Sequence, residues 1–242
     1  MAVACARCAT SRKGSRVMER IIQLLLSTSL PDVFNPWSNV DPMDVSISAP
    51  ARRLKRLRAH FAVHPAVVLC GEAPGYQGCH FSGIPFTSEA LLCEGAIPRC
   101  ETSSRLTTRP RPWSEPSARI VWKALYEFGI AERTVLWNTF AFHPHKPGEP
   151  YTNRTPRSDE IEAGVGILRA VLGHFEAQGA AVVAVGRVAE RTLQRLGIAV
   201  RAQVQHPAYG GAPKFRAGLA ELVHARHLHG LQARQGERLF PE

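Results

Sequence analysis

Four apolar runs of strand length punctuate the chain: Ala66 to Cys70, Thr134 to Asn138, Ala180 to Val185 and Val200 to Gln205. Between and after them, apolar residues recur at helical spacing over Ser117 to Phe128, Ser158 to Gln178, Val188 to Leu196 and Pro213 to His227. Short strands alternating with helices of this length predict an α/β fold, a three-layer α/β/α arrangement around a central four-stranded, mostly parallel sheet.

The first quarter of the chain follows a different pattern. Residues 1–18 are expected to be disordered, with a short helix from Glu19 to Ser27. The stretch Pro31 to Pro50, containing FNPW and DPMD, reads as an irregular segment laid over a domain surface. Ala51 to Phe61 places Leu54, Leu57 and Phe61 at helical spacing, ringed by Arg52, Arg53, Lys55, Arg56 and Arg58. That is the pattern of a solvated amphipathic helix, with phosphate contact as the alternative. Pro98 to Pro116 is rich in Arg, Thr, Ser and Pro and predicts a long exposed loop. The expected organisation is an extension over residues 1–18 and a single domain over 19–242. The extension carries Arg7, Arg12, Lys13, Arg16 and Arg20 with no acidic residue before Glu19. That suits a transit peptide or a start codon placed upstream of Met18.

Composition narrows the partners. A net charge of +10 and a pI near 9.8 favour a polyanion. The longest aliphatic stretch, Ile21 to Leu26, is far short of the roughly 18 apolar residues a membrane span needs, so a soluble protein is expected. Six cysteines without a secretory signal suggest the reducing cytoplasm and free thiols. Cys5 and Cys8 form a CARC pair that would hold zinc only if Cys93 and Cys100 joined it; the expectation is no metal and no cofactor.

In open parallel sheets ligands bind outside the carboxyl ends of the strands. Three polar motifs fall at such ends: Gly71 to Gly75, Asn138 and His206. The first opens GEAPGYQGCHFSGIPFTSE, Gly71 to Glu89, whose glycines allow close backbone approach to a ligand. Glu72 offers a carboxylate there, and Phe81 and Phe86 offer flat faces for stacking. It is neither GxGxxG nor a phosphate loop, which argues against the familiar nucleotide cofactors.

GEAPG followed by GIPF, then LWN at Asn138, then HPAYGG at His206, in that order, resembles the uracil-DNA glycosylase superfamily over about Val67 to Leu219. The upstream NPW and basic helix resemble what accompanies GEAPG in a bacterial branch without an iron–sulfur cluster. In cluster-bearing branches cysteines precede the first strand closely and follow the Asn strand, where this chain has Thr139 to Phe142.

The resemblance implies a monofunctional glycosylase that flips uracil from DNA and hydrolyses its N-glycosidic bond as a monomer, without cofactor. Phe86 would stack on the base and Asn138 would read its polar edge, with Ala73 beside them. His206 would stabilise charge developing on the base O2. Tyr209 would wedge into the duplex, with Gly210, Lys214 and Arg187 against DNA. The best-known branch has Asp at the position of Ala73, so the water activator is expected to be Glu72, with Glu89 as the alternative. No Lys lies within the three motifs where a lyase would need one. Rival readings are a broader base range including hypoxanthine or xanthine, and a catalytically weak protein that binds damaged DNA or abasic sites.

Overall fold

The computed structural model describes residues 6–100 and 105–225. The elements in chain order are α1 (Ala6–Ser27), β1 (Val33–Phe34), α2 (Ala49–Phe61), β2 (Val67–Gly71), α3 (Cys79–Ser82), α4 (Glu89–Cys93) and α5 (Pro116–Glu127). There follow β3 (Thr134–Asn138), β4 (His143–Pro144), α6 (Ser158–Glu176), β5 (Ala181–Val185), α7 (Arg187–Arg195), β6 (Ala202–Val204) and α8 (Ala212–His224).

The main sheet has the order β3-β2-β5-β6 with every pair parallel, as the α/β/α expectation requires. Strands β2 and β3 are buried at every residue, because helices cover both faces. Alternation sorts their side chains into two cores. Val68, Cys70, Val135 and Trp137 face Ile21, Leu57, Leu168 and Leu193 of α1, α2, α6 and α7. Val67, Leu69 and Leu136 face Leu91, Trp122 and Leu219 of α4, α5 and α8.

The N-terminal helix is longer than predicted. It starts at Ala6, so the expected disorder to residue 18 is replaced by helix over the described residues, and Ile21 and Leu25 anchor it in the core. Met1 to Cys5 and the side chain of Cys8 lie outside the described residues, as does the predicted end of α8 at His227.

The basic helix α2 is also corrected. Only part of its ring is solvated: Arg53 is wholly buried and Arg56 nearly so. Arg53 binds both carboxylate oxygens of Asp44 at 2.7 and 3.1 Å and donates to the carbonyls of Pro36 at 2.5 Å and Asn39 at 2.8 Å. This one guanidinium fastens the whole FNPW-to-DPMD strap onto α2. Asn35 adds bonds to the carbonyls of Leu25 and Thr28, and the Trp37 indole donates to Gly83 O, joining the strap to α1 and to the GIPF turn.

Beneath the strap runs a buried polar chain. Asp41 Oδ2 meets His80 Nε2 at 2.9 Å, His80 Nδ1 meets His143 Nδ1 at 2.8 Å, and His143 Nε2 meets Thr152 O at 2.8 Å. A carbonyl only accepts, so His143 carries its proton on Nε2 and His80 donates through Nδ1, while the Asp41 contact is closed by one further proton shared between Asp41 Oδ2 and His80 Nε2. His143 is therefore an internal strut.

The stretch after Pro98 is likewise not simply exposed. Arg105 to Pro116 tucks Leu106, Thr107 and Trp113 inside. Asp44 pairs with Thr107 as an antiparallel bridge, which carries the strap across to this loop.

Candidate active site

Register builds the site. Gly71 and Asn138 are the last residues of β2 and β3 and lie directly opposite each other. Beyond them Thr139 N–H donates to Gly71 O, and Phe140 N–H and the Thr139 hydroxyl donate to Glu72 O, so the two strand ends stay joined as they enter loops. A Cβ on Gly71 would fall 2.3 Å from Phe86 Cζ and 2.7 Å from Asn138 Oδ1. The bare glycine is what lets the aromatic ring and the carboxamide meet.

Phe86 reaches this position through a left-handed backbone, φ 50°, which a bulky residue adopts only under constraint. The constraint is local. The Thr87 hydroxyl donates to Pro85 O and accepts from the buried Trp122 indole at 2.9 Å. Asn138 is 2% exposed, and among the described residues nothing hydrogen-bonds its carboxamide. The carboxamide borders an open cavity, where a bound group can take up its donor and acceptor positions.

His206 arrives from the other side, two residues past β6. The Ala208 N–H donates to its Nδ1 at 3.1 Å, which fixes the neutral tautomer with the proton on Nε2. Burial pushes the imidazole below its usual range and supports the same neutral form. Its ring stands 6.2 Å from that of Phe86 at 40°. After it, Tyr209 (φ 52°) and Gly210 (φ 77°) turn left-handed and leave the Tyr209 ring fully exposed at the rim.

These groups enclose a cavity of about 820 Å³ lined by Glu72, Ala73, Phe86, Asn138 and His206 among others. A second cavity of about 450 Å³ shares Glu72, His206, Tyr209 and Gly210 with it, and is bordered by Gly186, Arg187 and Lys214. Arg187 and Lys214 are exposed there, Arg187 in the first turn of α7, where backbone N–H groups favour an anion.

Sequence-predicted residues thus converge with two exceptions. Phe81, read as a face for stacking, is wholly buried, lies against the Trp113 ring at 5.0 Å and lines neither cavity. Glu89 is fully buried and lines neither cavity. Its carboxylate accepts the N–H groups of Leu106, Thr107 and Trp113 and the Thr107 hydroxyl, at 2.7 to 3.3 Å. With those lone pairs engaged it clamps the Arg105-to-Trp113 loop, whereas Glu72 lines both cavities.

Sequence reading missed Glu115 and Asn153, which also line the larger cavity. Glu115 was legible as a helix start from the proline after it; its inward turn was not. Arg154, on the same wall, is held by Glu160 through two bonds of 2.6 and 2.8 Å. Among the described residues no group of three or more His, Cys, Asp or Glu is placed to hold a metal, and no helix is long and apolar enough to cross a membrane.

The model of the uracil DNA glycosylase superfamily matches residues 59–239. No curated protein matches the chain. Among solved structures, wild-type SMUG2 of Pedobacter heparinus is 16% identical, with 87% of this chain and 98% of that one covered and a TM-score of 0.59. Wild-type UNG from Nitratifractor salsuginis is also 16% identical, covering 84% and 94%, with a TM-score of 0.40. The SMUG2 likeness is one of fold.

Proposed function

Because the chain belongs to the uracil-DNA glycosylase superfamily, we propose that this DNA glycosylase receives uracil flipped out of DNA and hydrolyses the bond between uracil N1 and the deoxyribose C1′. The observation that carries the reading is the unpartnered Asn138 carboxamide, buried beside the Phe86 ring at the end of β3. Uracil presents a carbonyl and an adjacent ring N–H to such an amide. Cytosine presents an amine and no ring N–H, and leaves the amide mismatched.

The geometry supports a division of labour. Phe86 stacks on the base. His206 donates Nε2–H to O2, where negative charge gathers as the N1–C1′ bond breaks, an effect of roughly 3 to 4 kcal/mol in comparable sites. A neutral imidazole suits this role, because protonating Nδ1 would break its bond from the Ala208 N–H. Glu72 accepts a proton from the water that attacks C1′, and the products are free uracil and an abasic site. Tyr209 takes the space the base leaves in the duplex, while Arg187 and Lys214 hold phosphates. The same reading makes the protein a monomer of the reducing cytoplasm, and the four described cysteines, Cys70, Cys79, Cys93 and Cys100, are free thiols.

A second reading has one observation in its favour. The cavity of about 820 Å³ exceeds what a pyrimidine fills, and hypoxanthine offers the same carbonyl and N–H pair to Asn138.

End-labelled oligonucleotides with a single uracil, hypoxanthine or xanthine, treated with protein and then alkali, test both. Cleavage at uracil is expected, and Asn138→Ala should reduce it far more than it reduces DNA binding. Tight uracil-dependent binding with no cleavage would replace the enzyme with a damage-binding protein.

A further inference from the structure

The mechanism leaves one carboxyl on the wall of the larger cavity without a task. Glu115 is the N-cap residue of α5, where a carboxylate ordinarily accepts backbone N–H groups of the first turn. It makes no such bond. Its Oε1 accepts the Ser117 hydroxyl at 2.9 Å, and among the described residues it has no ion-pair partner.

Its seat is created by missing side chains. A Cβ on Gly78 would fall 2.0 Å from Glu115 Oε2. A Cβ on Gly75 would lie 3.7 Å from Glu115 Oε1 and 3.5 Å from Asn153 Nδ2. Along the loop from Gly71 to Gly78 the neighbours therefore change from Phe86 and Asn138 to Asn153 and Glu115.

The edges of a bound pyrimidine can then be assigned in turn, granting the proposed uracil reading on which this step rests. O2 goes to His206, and N3–H with O4 goes to Asn138. The C5–C6 edge remains, and the wall that remains is the glycine turn with Glu115 behind it. We propose that Glu115 is a specificity-determining residue whose carboxyl reads substituents at C5 of the flipped base.

Chemistry sets the preference. A hydroxyl at C5 gives the carboxyl a hydrogen-bond partner. A methyl group takes its water away and offers nothing, the kind of mismatch that separates substrates strongly. A carboxylate at C5 is repelled once Glu115 ionises. Desolvation pushes Glu115 up to about 7, so its charge changes near neutrality. The other titratable or charged groups on this cavity are Glu72, Cys79, Arg154, His206 and Tyr209. Arg154 is engaged by Glu160, Cys79 is raised by burial first and by Glu115 second, and His206 is held neutral.

Single-turnover excision of uracil, 5-hydroxyuracil, thymine opposite guanine and 5-carboxyuracil, by wild type, Glu115→Gln and Glu115→Ala at about pH 6 and about pH 8, tests this on either side of the Glu115 transition. Wild type should favour hydroxyl over methyl about tenfold or more. Its rate on 5-carboxyuracil relative to uracil should fall between the lower and the higher pH. Glu115→Ala should bring the hydroxyl-to-methyl ratio toward one. Glu115→Gln, which keeps the shape but cannot ionise, should keep that ratio and lose the pH dependence on 5-carboxyuracil, and it serves if the Ala variant folds poorly. Unchanged ratios in both variants, with uracil still excised, would overturn the role of Glu115 alone. Absence of uracil excision by wild type would instead overturn the proposed function, and the edge assignment with it.

Discussion

The sheet and the strap are both buried, yet they are held by opposite means. Along β2 and the middle of β3 burial is apolar: Val68, Leu69, Val135 and Leu136 pack between helix layers, and no side chain of either strand carries a charge. In the strap, Arg53 and Asp44 are drawn out of water together, and Asp41, His80 and His143 form a continuous polar chain. An apolar core loses stability in proportion to the atoms removed. A buried polar network fails as a unit, because each orphaned partner keeps its desolvation cost. The sheet fixes the strand ends, and the strap holds the loops that wall the pocket.

The largest expected effect separates these two regimes. Arg53→Ala should destabilise by about 3 to 5 kcal/mol, since it leaves Asp44 buried and unpaired. The volume-conserving Leu69→Met in the sheet should cost under about 1.5 kcal/mol. Urea unfolding of the two variants measures both, and equal costs would erase the distinction between strap and sheet.

Next comes a residue that belongs to neither. His206 stands on a loop and is only half-buried, so His206→Ala should leave the unfolding midpoint near that of wild type. Its single-turnover excision rate should drop by about 10² to 10³. An unchanged rate would remove the Nε2 donor from the reaction.

A smaller contrast uses two carboxylates of one motif. Glu89→Gln weakens the clamp on Leu106, Thr107 and Trp113 and should cost about 1 to 3 kcal/mol, with excision per folded molecule preserved. Glu72→Gln should show the reverse, normal stability and slow excision. A fast Glu72→Gln enzyme would move water activation elsewhere.

These contrasts track what the sequence made legible. The strands could be read because burial on both faces leaves continuous apolar runs, and the site because its pieces sit at strand ends, where Gly71 and Asn138 meet by register alone. The strap could not be read, because its partners follow no period. Nothing in the ARRLKRLR run shows that Arg53 points to the Pro36 carbonyl and Asp44, so a charged ring looks solvated. The position of Glu89 was hidden for the same reason: three of its four bonds come from backbone N–H groups of a loop whose course is tertiary. The turn of Glu115 toward the cavity depends on room left by Gly78, which is distant in the chain and adjacent only in three dimensions.

Glu115 also gives the smallest measurable difference, in the pH dependence of stability. Its folded-state pKa is raised from 4.5 to about 7, with burial as the cause. Between those values the folded protein keeps the proton and the unfolded chain has released it, so the unfolded state binds fewer protons and stability falls as pH rises through this window. Other groups titrate as well, among them His60 and His143, both pushed down to about 3 by burial, which act in the opposite direction over part of the same range. The informative quantity is therefore the difference between wild type and Glu115→Gln. Gln supplies the neutral shape at every pH, so the variant should lose less stability than wild type on going from acid to neutral pH, and the two curves should run parallel above about pH 8, where Glu115 is ionised in both states. Parallel melting curves throughout would mean that the carboxyl is hydrated through the pocket mouth, and the cavity wall facing C5 would then be a solvated surface in place of a desolvated polar group.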